Sequence, residues 1–199
     1  QVGIERQIAH RDPGQPGSGG QGGSIGIEQG TDQAPLIGMP VNQQYVHRKS
    51  IEELMKGVES DIRAVNPLCT DEFIQKYCAL YRDRISFEYE LKDIGKYLYA
   101  GIQEYDIDTL QKKWNESSLS FLDNYISLLG AVDFEDSTAL EDFTKLEITQ
   151  ANTNLGNILP ILRIGLTGIT KGPSVFDTMV LLGREETIHR LKNLKKIIA

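Results

Sequence analysis

Apolar residues recur three and four positions apart through most of the chain after residue 50, and this spacing constrains the fold more than any other feature. Ser50 and Glu53 form a capping box, in which the serine side chain accepts from a backbone N–H and the glutamate reaches back. No convincing period-two run of β-branched residues is present, so the sequence predicts an all-α fold. The first apolar stripe consists of Ile51, Leu54, Met55, Val58 and Ile62.

Start and stop signals divide the rest of the chain into further helices. Asn66–Pro67 should end the first one, because the residue before a proline is disfavoured in a helix. A helix is predicted from Phe87 to Tyr99, and Gly130 is predicted to end a later one in the left-handed conformation. The predicted N-caps are Thr70, Asp106 and Asn154.

The composition changes near residue 40. Residues 1–40 hold ten of the nineteen glycines, four of the seven prolines and no aromatic residue. They offer too little apolar surface to offset the entropy of ordering them, so we expect a flexible leader or an added linker. For the rest, two small helical bundles in series are predicted, at 41–104 and 105–199.

Charge and cysteine content narrow the functional classes. The net charge of −7 argues against indiscriminate nucleic-acid binding but leaves room for a local basic site. Cys69 and Cys78 fit neither a zinc site nor a disulfide framework, so two reduced thiols and no metal are expected. With no signal peptide and no apolar run of membrane-spanning length, a cytoplasmic protein with no membrane partner is predicted.

Catalytic motifs are not found in the sequence. Gly168 and Gly172 are separated by three residues rather than the four of a phosphate-binding loop, and Pro173 stands where the lysine belongs. None of the three histidines neighbours a serine or cysteine in a recognisable nucleophile motif. We therefore predict no catalytic residue in this chain.

A glycine-rich break at residues 168–173 interrupts the apolar run near the end of the chain. Pro173 is predicted to occupy the first position of the helix that follows. Lys171, the bare backbone of Gly172 and the aromatic Phe176 could together form a platform for an unpaired base. A tight helix–helix corner with Phe176 in the core is the alternative interpretation.

The run LRIGLTGITKGPSVFDTMVLLGREETIHRL, residues 162–191, resembles the C-terminal signature of bacterial glutamyl-tRNA synthetases. In that family a helix ending L-R-x-x-L-T-G precedes a short turn, P-x-x-F and L-L-G-[KR]-E. Upstream, FIQKYCALYRDRISFEYELKDIGKYLY looks like the family's helix with an L-x-R-x-R pattern and the following helix with its aromatic pair. The resemblance covers roughly residues 41–199 and is looser between about 100 and 150.

The resemblance implies the anticodon-binding region of such an enzyme, with glutamate tRNA as partner and a monomeric state. The His-x-Gly-His-type and Lys-Met-Ser-Lys-Ser-type motifs of class I synthetases are absent from these 199 residues. ATP and Mg²⁺ would therefore belong to the full-length enzyme, and this part should be inactive alone. The alternative is a helical protein-interaction module that kept the fold without RNA binding.

Arg84 occupies the place of the family arginine that reads the third anticodon base. An arginine carries only donors, so it can satisfy the N3 and O2 acceptors of cytosine but opposes the N1–H and N2–H₂ donors of guanine. This position predicts a preference for glutamate tRNA over glutamine tRNA. An ion pair with Asp83 or Glu88 is the alternative role.

By the same resemblance, the other two anticodon bases meet the corner at 168–176. Arg163 would be the basic contact, Gly172 and Pro173 would supply backbone, and Val175 and Phe176 would supply an apolar and stacking surface. We add Lys171 as a phosphate contact. A terminal basic cluster could assist, although a solvated helix face is the favoured interpretation; it consists of Arg190, Lys192, Lys195 and Lys196.

Overall fold

A computed structural model describes the backbone of residues 41–198 and the side chains of residues 45–198. Within this range the chain is all-α, with no β-strand, as the sequence predicts. The leader predicted for residues 1–40 lies outside the described residues. The helices are α1 (Val41–Arg48), α2 (Ile51–Val65), α3 (Asp71–Tyr81), α4 (Leu91–Ile94), α5 (Lys96–Tyr99), α6 (Ile107–Lys113), α7 (Glu116–Leu128), α8 (Ser137–Gln150), α9 (Leu155–Thr167) and α10 (Val175–Ile198).

Short 3₁₀ turns at Arg82–Arg84, Glu88–Glu90 and Leu129–Ala131 connect several of these helices. The predicted N-caps are confirmed, because each polar side chain accepts from a backbone N–H of the first turn. Ser50 and Glu53 form both bonds of the capping box. The other confirmed caps are Thr70, Asp106 and Asn154.

Two hydrophobic clusters form the interior. One contains the buried stripes of α2 and α3 together with Leu91, Leu98 and Tyr99. The other is built from α6 to α10. Leu181 of α10 belongs to the first cluster, whereas the other buried apolar residues of α10 belong to the second. A boundary between two bundles at residues 104 and 105 stays a prediction.

The single helix predicted from Phe87 to Tyr99 is wrong. The chain instead forms a 3₁₀ turn and two short helices that are separated at Gly95. Tyr77 is the cause, because its hydroxyl donates to the Leu91 carbonyl at 2.5 Å and accepts from the Gly95 N–H at 3.2 Å. These two groups would bond each other in a continuous helix, and a side chain inserted between them breaks it.

The left-handed C-cap predicted at Gly130 is also wrong. The described glycines with positive φ are Gly101, Gly168, Gly172 and Gly183. After α7 the chain tightens into the 3₁₀ turn Leu129–Ala131, in which the Val132 N–H donates to the Leu129 carbonyl at 3.4 Å. This pairing satisfies a terminal carbonyl without a left-handed residue.

Gly183 interrupts α10. Its φ of 74° and ψ of 171° are not helical, so α10 consists of two helical stretches joined at a bend. Leu191 and Leu194 of the second stretch are fully buried. None of the helices described between residues 41 and 198 combines the length and apolar composition required to cross a bilayer.

The two cysteines are free and differ in accessibility. Cys78 has no exposed surface, and burial raises its pKa to about 12. Burial also raises the pKa of the half-buried Cys69, with a smaller opposing effect from Arg63. A raised pKa keeps a thiol protonated at neutral pH, and the protonated form is unreactive.

We therefore expect iodoacetamide at pH 8 to modify Cys69 slowly and to leave Cys78 unmodified in the folded protein, whereas both react in denaturant. Mass spectrometry of peptides from the wild type and from Cys69→Ser checks this. Rapid modification of Cys78 in the folded variant would show that its surroundings open readily.

Candidate nucleic-acid interface

The glycine-rich break forms a tight loop between α9 and α10, and we call residues 168–174 the corner loop. Gly168 ends α9 with φ 80°, and its N–H donates to the Ile164 carbonyl at 2.7 Å. Its own carbonyl accepts from the Asp106 N–H at 2.8 Å. The corner loop is therefore fixed to the start of α6 as well as to α9.

Arg163 anchors the far end of the corner loop. It lies on α9 with its side chain half-buried, and its Nη1 donates to the Pro173 carbonyl. Burial lowers the pKa of Arg163, nearby Tyr97 opposes that shift, and the charge of Arg84 adds to it. Part of its donor capacity is thus used within the protein.

Gly172 lies where the corner loop meets the α5 helix. It is exposed and has φ 154°, and a Cβ atom at this position would lie 3.3 Å from the Tyr97 hydroxyl oxygen. The Tyr97 hydroxyl is 2.7 Å from the Tyr81 hydroxyl, which fixes its position. Glycine is suited here because its backbone can approach Tyr97 closely and adopt this conformation.

The following helix begins at Val175 rather than at Pro173, and Ser174 caps it. The Ser174 carbonyl accepts from the Thr178 N–H at 3.0 Å, and its Oγ accepts from the Phe176 N–H at 3.2 Å. Pro173 lies one residue before this cap, so the predicted position of the proline is wrong by two residues. The serine was missed because proline is common at the first helical position, so the start of the helix was assigned to Pro173.

Val175 and Phe176 lie in the hydrophobic core rather than on the surface. Their exposed fractions are 3% and 6%. The exposed aromatic side chain expected at Phe176 is therefore wrong, and the alternative helix–helix corner describes its packing. Both residues hold the start of α10 against the core, while Lys171 remains exposed on the corner loop.

Arg84 ends the 3₁₀ turn that follows α3, and its side chain is exposed. The ion pairs considered as its alternative role are not present. Asp83 lies 3.2 Å from His47, and Glu88 pairs with Lys49. Among residues 45–198 no ion pair or hydrogen bond engages the Arg84 guanidinium, so its donors are available to a ligand.

The charges of Arg84 and Arg163 both act on the hydroxyl of Tyr97. Burial raises the pKa of Tyr97, and its bond to Tyr81 and the charges of both arginines oppose that shift. Arg84 and Arg163 come from distant parts of the sequence, so only the tertiary fold brings them together. Tyr97 was missed as a site residue, although its place in the aromatic pair at the end of α5 was the available signal.

The terminal basic cluster divides into residues with different roles. Arg190 is only 5% exposed, so its assignment to a solvated face is wrong. Lys195 pairs with Asp123, and Lys196 donates to Asn193 at 3.2 Å. Residues 45–198 contain no group of three or more His, Cys, Asp or Glu side chains placed to hold a metal ion.

The sequence of this chain is similar to that of known proteins. A family model described as an anticodon binding domain matches residues 49–195. A glutamate–tRNA ligase of Porphyromonas gingivalis is 32% identical over 157 residues, which are 79% of this chain and 31% of that ligase. A glutamate–tRNA ligase of Amoebophilus asiaticus is 25% identical over the same shares of the two chains.

Solved structures agree in fold. A glutamate tRNA ligase from Elizabethkingia meningosepticum, in complex with its amino acid, has a TM-score of 0.73 at 23% identity over 79% of this chain and 31% of that one. A glutamate-tRNA synthetase from Elizabethkingia anophelis has a TM-score of 0.62 at 25% identity over 78% and 30%. The chain spans about a third of the length of these relatives, and the predicted resemblance to bacterial glutamyl-tRNA synthetases is confirmed.

Proposed function

We propose, since this chain belongs to the anticodon binding domain family, that it binds the anticodon loop of glutamate tRNA. In this role it would serve ATP-dependent aminoacylation that is carried out by a catalytic domain outside these residues. The observation that carries the proposal is the convergence of Arg84, Tyr97 and Arg163 beside the exposed corner loop.

Each part of this surface has a physical role in binding a single-stranded loop. The guanidinium of Arg84 supplies donors for the third anticodon base. Lys171 and the backbone of Gly172 are exposed and face the remaining bases or the phosphates, while Arg163 and Pro173 shape the loop. Contacts to phosphates should make the affinity fall with rising salt.

Val175 and Phe176 enter this proposal as residues that position the corner loop. Because they are buried, they offer little stacking surface while the start of α10 stays packed. Their contribution is to hold Ser174 and the preceding backbone in one conformation. A fixed backbone lowers the ordering cost that binding would otherwise carry.

Replacing Arg84 with glutamine is expected to reduce the preference for cytosine over guanine at the third anticodon position by about tenfold, the value of one bidentate base contact. The fold should not change, because Arg84 is exposed. Fluorescence anisotropy with a glutamate-tRNA anticodon stem-loop, and with its C-to-G variant, measures this preference at low and moderate salt.

Arg48→Gln is the matched control, since Arg48 is also exposed and the substitution removes the same charge. Arg48→Gln should change affinity for both loops equally and leave the preference intact. Salt-insensitive, equal binding of both loops by the wild type would contradict anticodon reading and favour a protein-interaction module.

A further inference from the structure

An open groove with a volume of about 700 Å³ runs between α3 and α10. Its apolar wall is lined by Ala79 and Leu80 on one side and by Val180 and Leu181 on the other. Arg84 and Asp177 lie on the polar part of the same groove. The volume falls within the range of about 300 to 1,000 Å³ that is typical of small-ligand sites.

The other charged side chains along this groove already have polar partners. Lys76 lies 3.3 Å from Glu135 and 2.8 Å from Glu72, and the Asp83 carboxylate lies 3.2 Å from the His47 ring. Arg84 and Asp177 differ, because neither forms an ion pair with the other or with any other side chain of residues 45–198. The groove thus presents a free donor group and a free acceptor group.

The position of Asp177 is fixed by the packing around it. The preceding Phe176 and the following Thr178 are buried at 6% and 1% exposure, so the first turn of α10 is held rigidly in the core. Ser174 caps that turn, because its Oγ accepts a hydrogen bond from the Phe176 N–H. Asp177 alone points outward from this segment, and its carboxylate therefore faces the groove from a rigid helix.

The edge of cytosine matches this pair of groups. Cytosine carries two acceptors, N3 and O2, beside one donor, the N4 amino group, and a carboxylate is a suitable acceptor for that amino group. Uracil places the O4 carbonyl where cytosine has its amino group, so a carboxylate there would face another acceptor. Arg84 alone disfavours both guanine and uracil, because the N3–H of uracil also opposes its donors, but an arginine carries no acceptor for the cytosine amino group.

We infer that Asp177 is a specificity-determining residue that accepts a hydrogen bond from the cytosine N4 amino group while Arg84 donates to N3 and O2. This assignment rests on the proposed anticodon-binding function and adds a second side chain that reads the base. Together the two side chains read the whole pairing edge of the third anticodon base. Arg84 opposes the N–H donors of guanine and uracil, and Asp177 adds discrimination against the O4 carbonyl of uracil.

Stabilisation of α10 is the other role that this position allows. A carboxylate in the first turn of a helix interacts favourably with the positive end of the helix dipole. That effect changes the stability of the protein but has no reason to depend on the base. Base preference and unfolding stability therefore separate the two roles.

The test is the affinity of the 199-residue chain for three anticodon stem-loops that differ only in the third anticodon base, C, U or G. The wild type should bind the C loop at least about tenfold more tightly than the U loop. Asp177→Asn should lower this ratio by about threefold or more, because its amide can turn its NH₂ toward uracil O4 while Arg84 retains its own share of the preference. Its preference for C over G should remain, since Arg84 is intact.

Asp61→Asn is the control, because Asp61 is exposed on α2 away from the groove and the substitution removes the same charge. It should retain the wild-type ratio of C to U affinity. An unchanged ratio in Asp177→Asn, or equal wild-type affinity for the C and U loops, would overturn the assignment. Wild-type binding no stronger than to a scrambled stem-loop would instead overturn the proposed function itself.

Discussion

Replacing Gly168 with alanine is expected to destabilise the protein by about 3 kcal/mol, in two parts. The left-handed φ of 80° costs a residue with a Cβ about 1 to 2 kcal/mol. The new Cβ would also lie 2.3 Å from the carbonyl oxygen of Glu104 and 2.7 Å from Ile102. Relief of such overpacking costs about 1 to 3 kcal/mol more, because a backbone atom must move.

Gly101→Ala separates these two parts. Gly101 has nearly the same φ, 82°, but a Cβ there has no heavy atom within 4 Å. Only the conformational cost of about 1 to 2 kcal/mol should remain in that variant. Urea unfolding followed by circular dichroism measures both, and equal losses in the two variants would show that the contact with Glu104 is not restrictive.

Gly168→Ala should weaken RNA binding as well as stability. Movement of residue 168 disturbs the bond between its carbonyl and the Asp106 N–H, which ties the corner loop to α6. The corner loop also carries Lys171 and Gly172. We expect lower affinity for the stem-loop even at temperatures where the variant is still folded, with anisotropy as the measurement.

Replacing Arg190 with methionine is expected to cost about 3 kcal/mol or more, a value typical of breaking a buried charged network. Its Nη1 donates to the Leu166 and Tyr97 carbonyls at 2.7 and 3.0 Å. Its Nη2 donates to the Leu98 carbonyl at 3.2 Å, and its Nε to Glu186 at 2.6 Å. The substitution leaves the three backbone carbonyls without this partner in a largely buried site, whereas Glu186 is partly exposed to water.

The same side chain joins elements from both hydrophobic clusters. Leu98 belongs to the cluster of α2 and α3, whereas Leu166 belongs to the cluster of α6 to α10. Loss of Arg190 should therefore broaden the unfolding transition as well as lower its midpoint. Calorimetry and urea unfolding monitored by two probes would detect this loss of cooperativity.

Two further variants test the role of the guanidinium. Lys192→Met removes an exposed positive charge from the same helix and should change the stability by less than about 0.5 kcal/mol. Arg190→Lys should recover only part of the loss, since an ammonium lacks the planar fork of donors. Full recovery by lysine would contradict the proposed dependence on fork geometry.

Helix boundaries that depend on neighbouring residues were predictable from the sequence. The caps at Ser50, Thr70, Asp106 and Asn154 are correct because each uses a side chain to bind a backbone N–H three residues away. The break at Gly95 was missed because the group that causes it, the Tyr77 hydroxyl, lies eighteen residues earlier. No local pattern around Gly95 reports that insertion.

Some features of the candidate site were also predictable from the sequence, and others were not. The sequence predicted Arg84, Arg163 and the glycine-rich corner as site residues through their motifs, and all of them lie within the residues that the family model matches. It did not reveal that Phe176 is buried. A period of three to four residues marks an apolar face, but it does not say which neighbouring helix covers that face.

The sequence by itself therefore determined the all-α class, most helix starts and the family resemblance, since these depend on local spacing and short motifs. Only the tertiary structure decided that Arg190 is buried, that the charges of Arg84 and Arg163 both act on Tyr97, and that Asp177 shares a groove with Arg84. Each of these relations includes a pair of residues more than 60 positions apart, and all of them arise from packing of whole helices. Side-chain burial and the pairing of charges follow from that packing, because both depend on which surfaces the fold brings together.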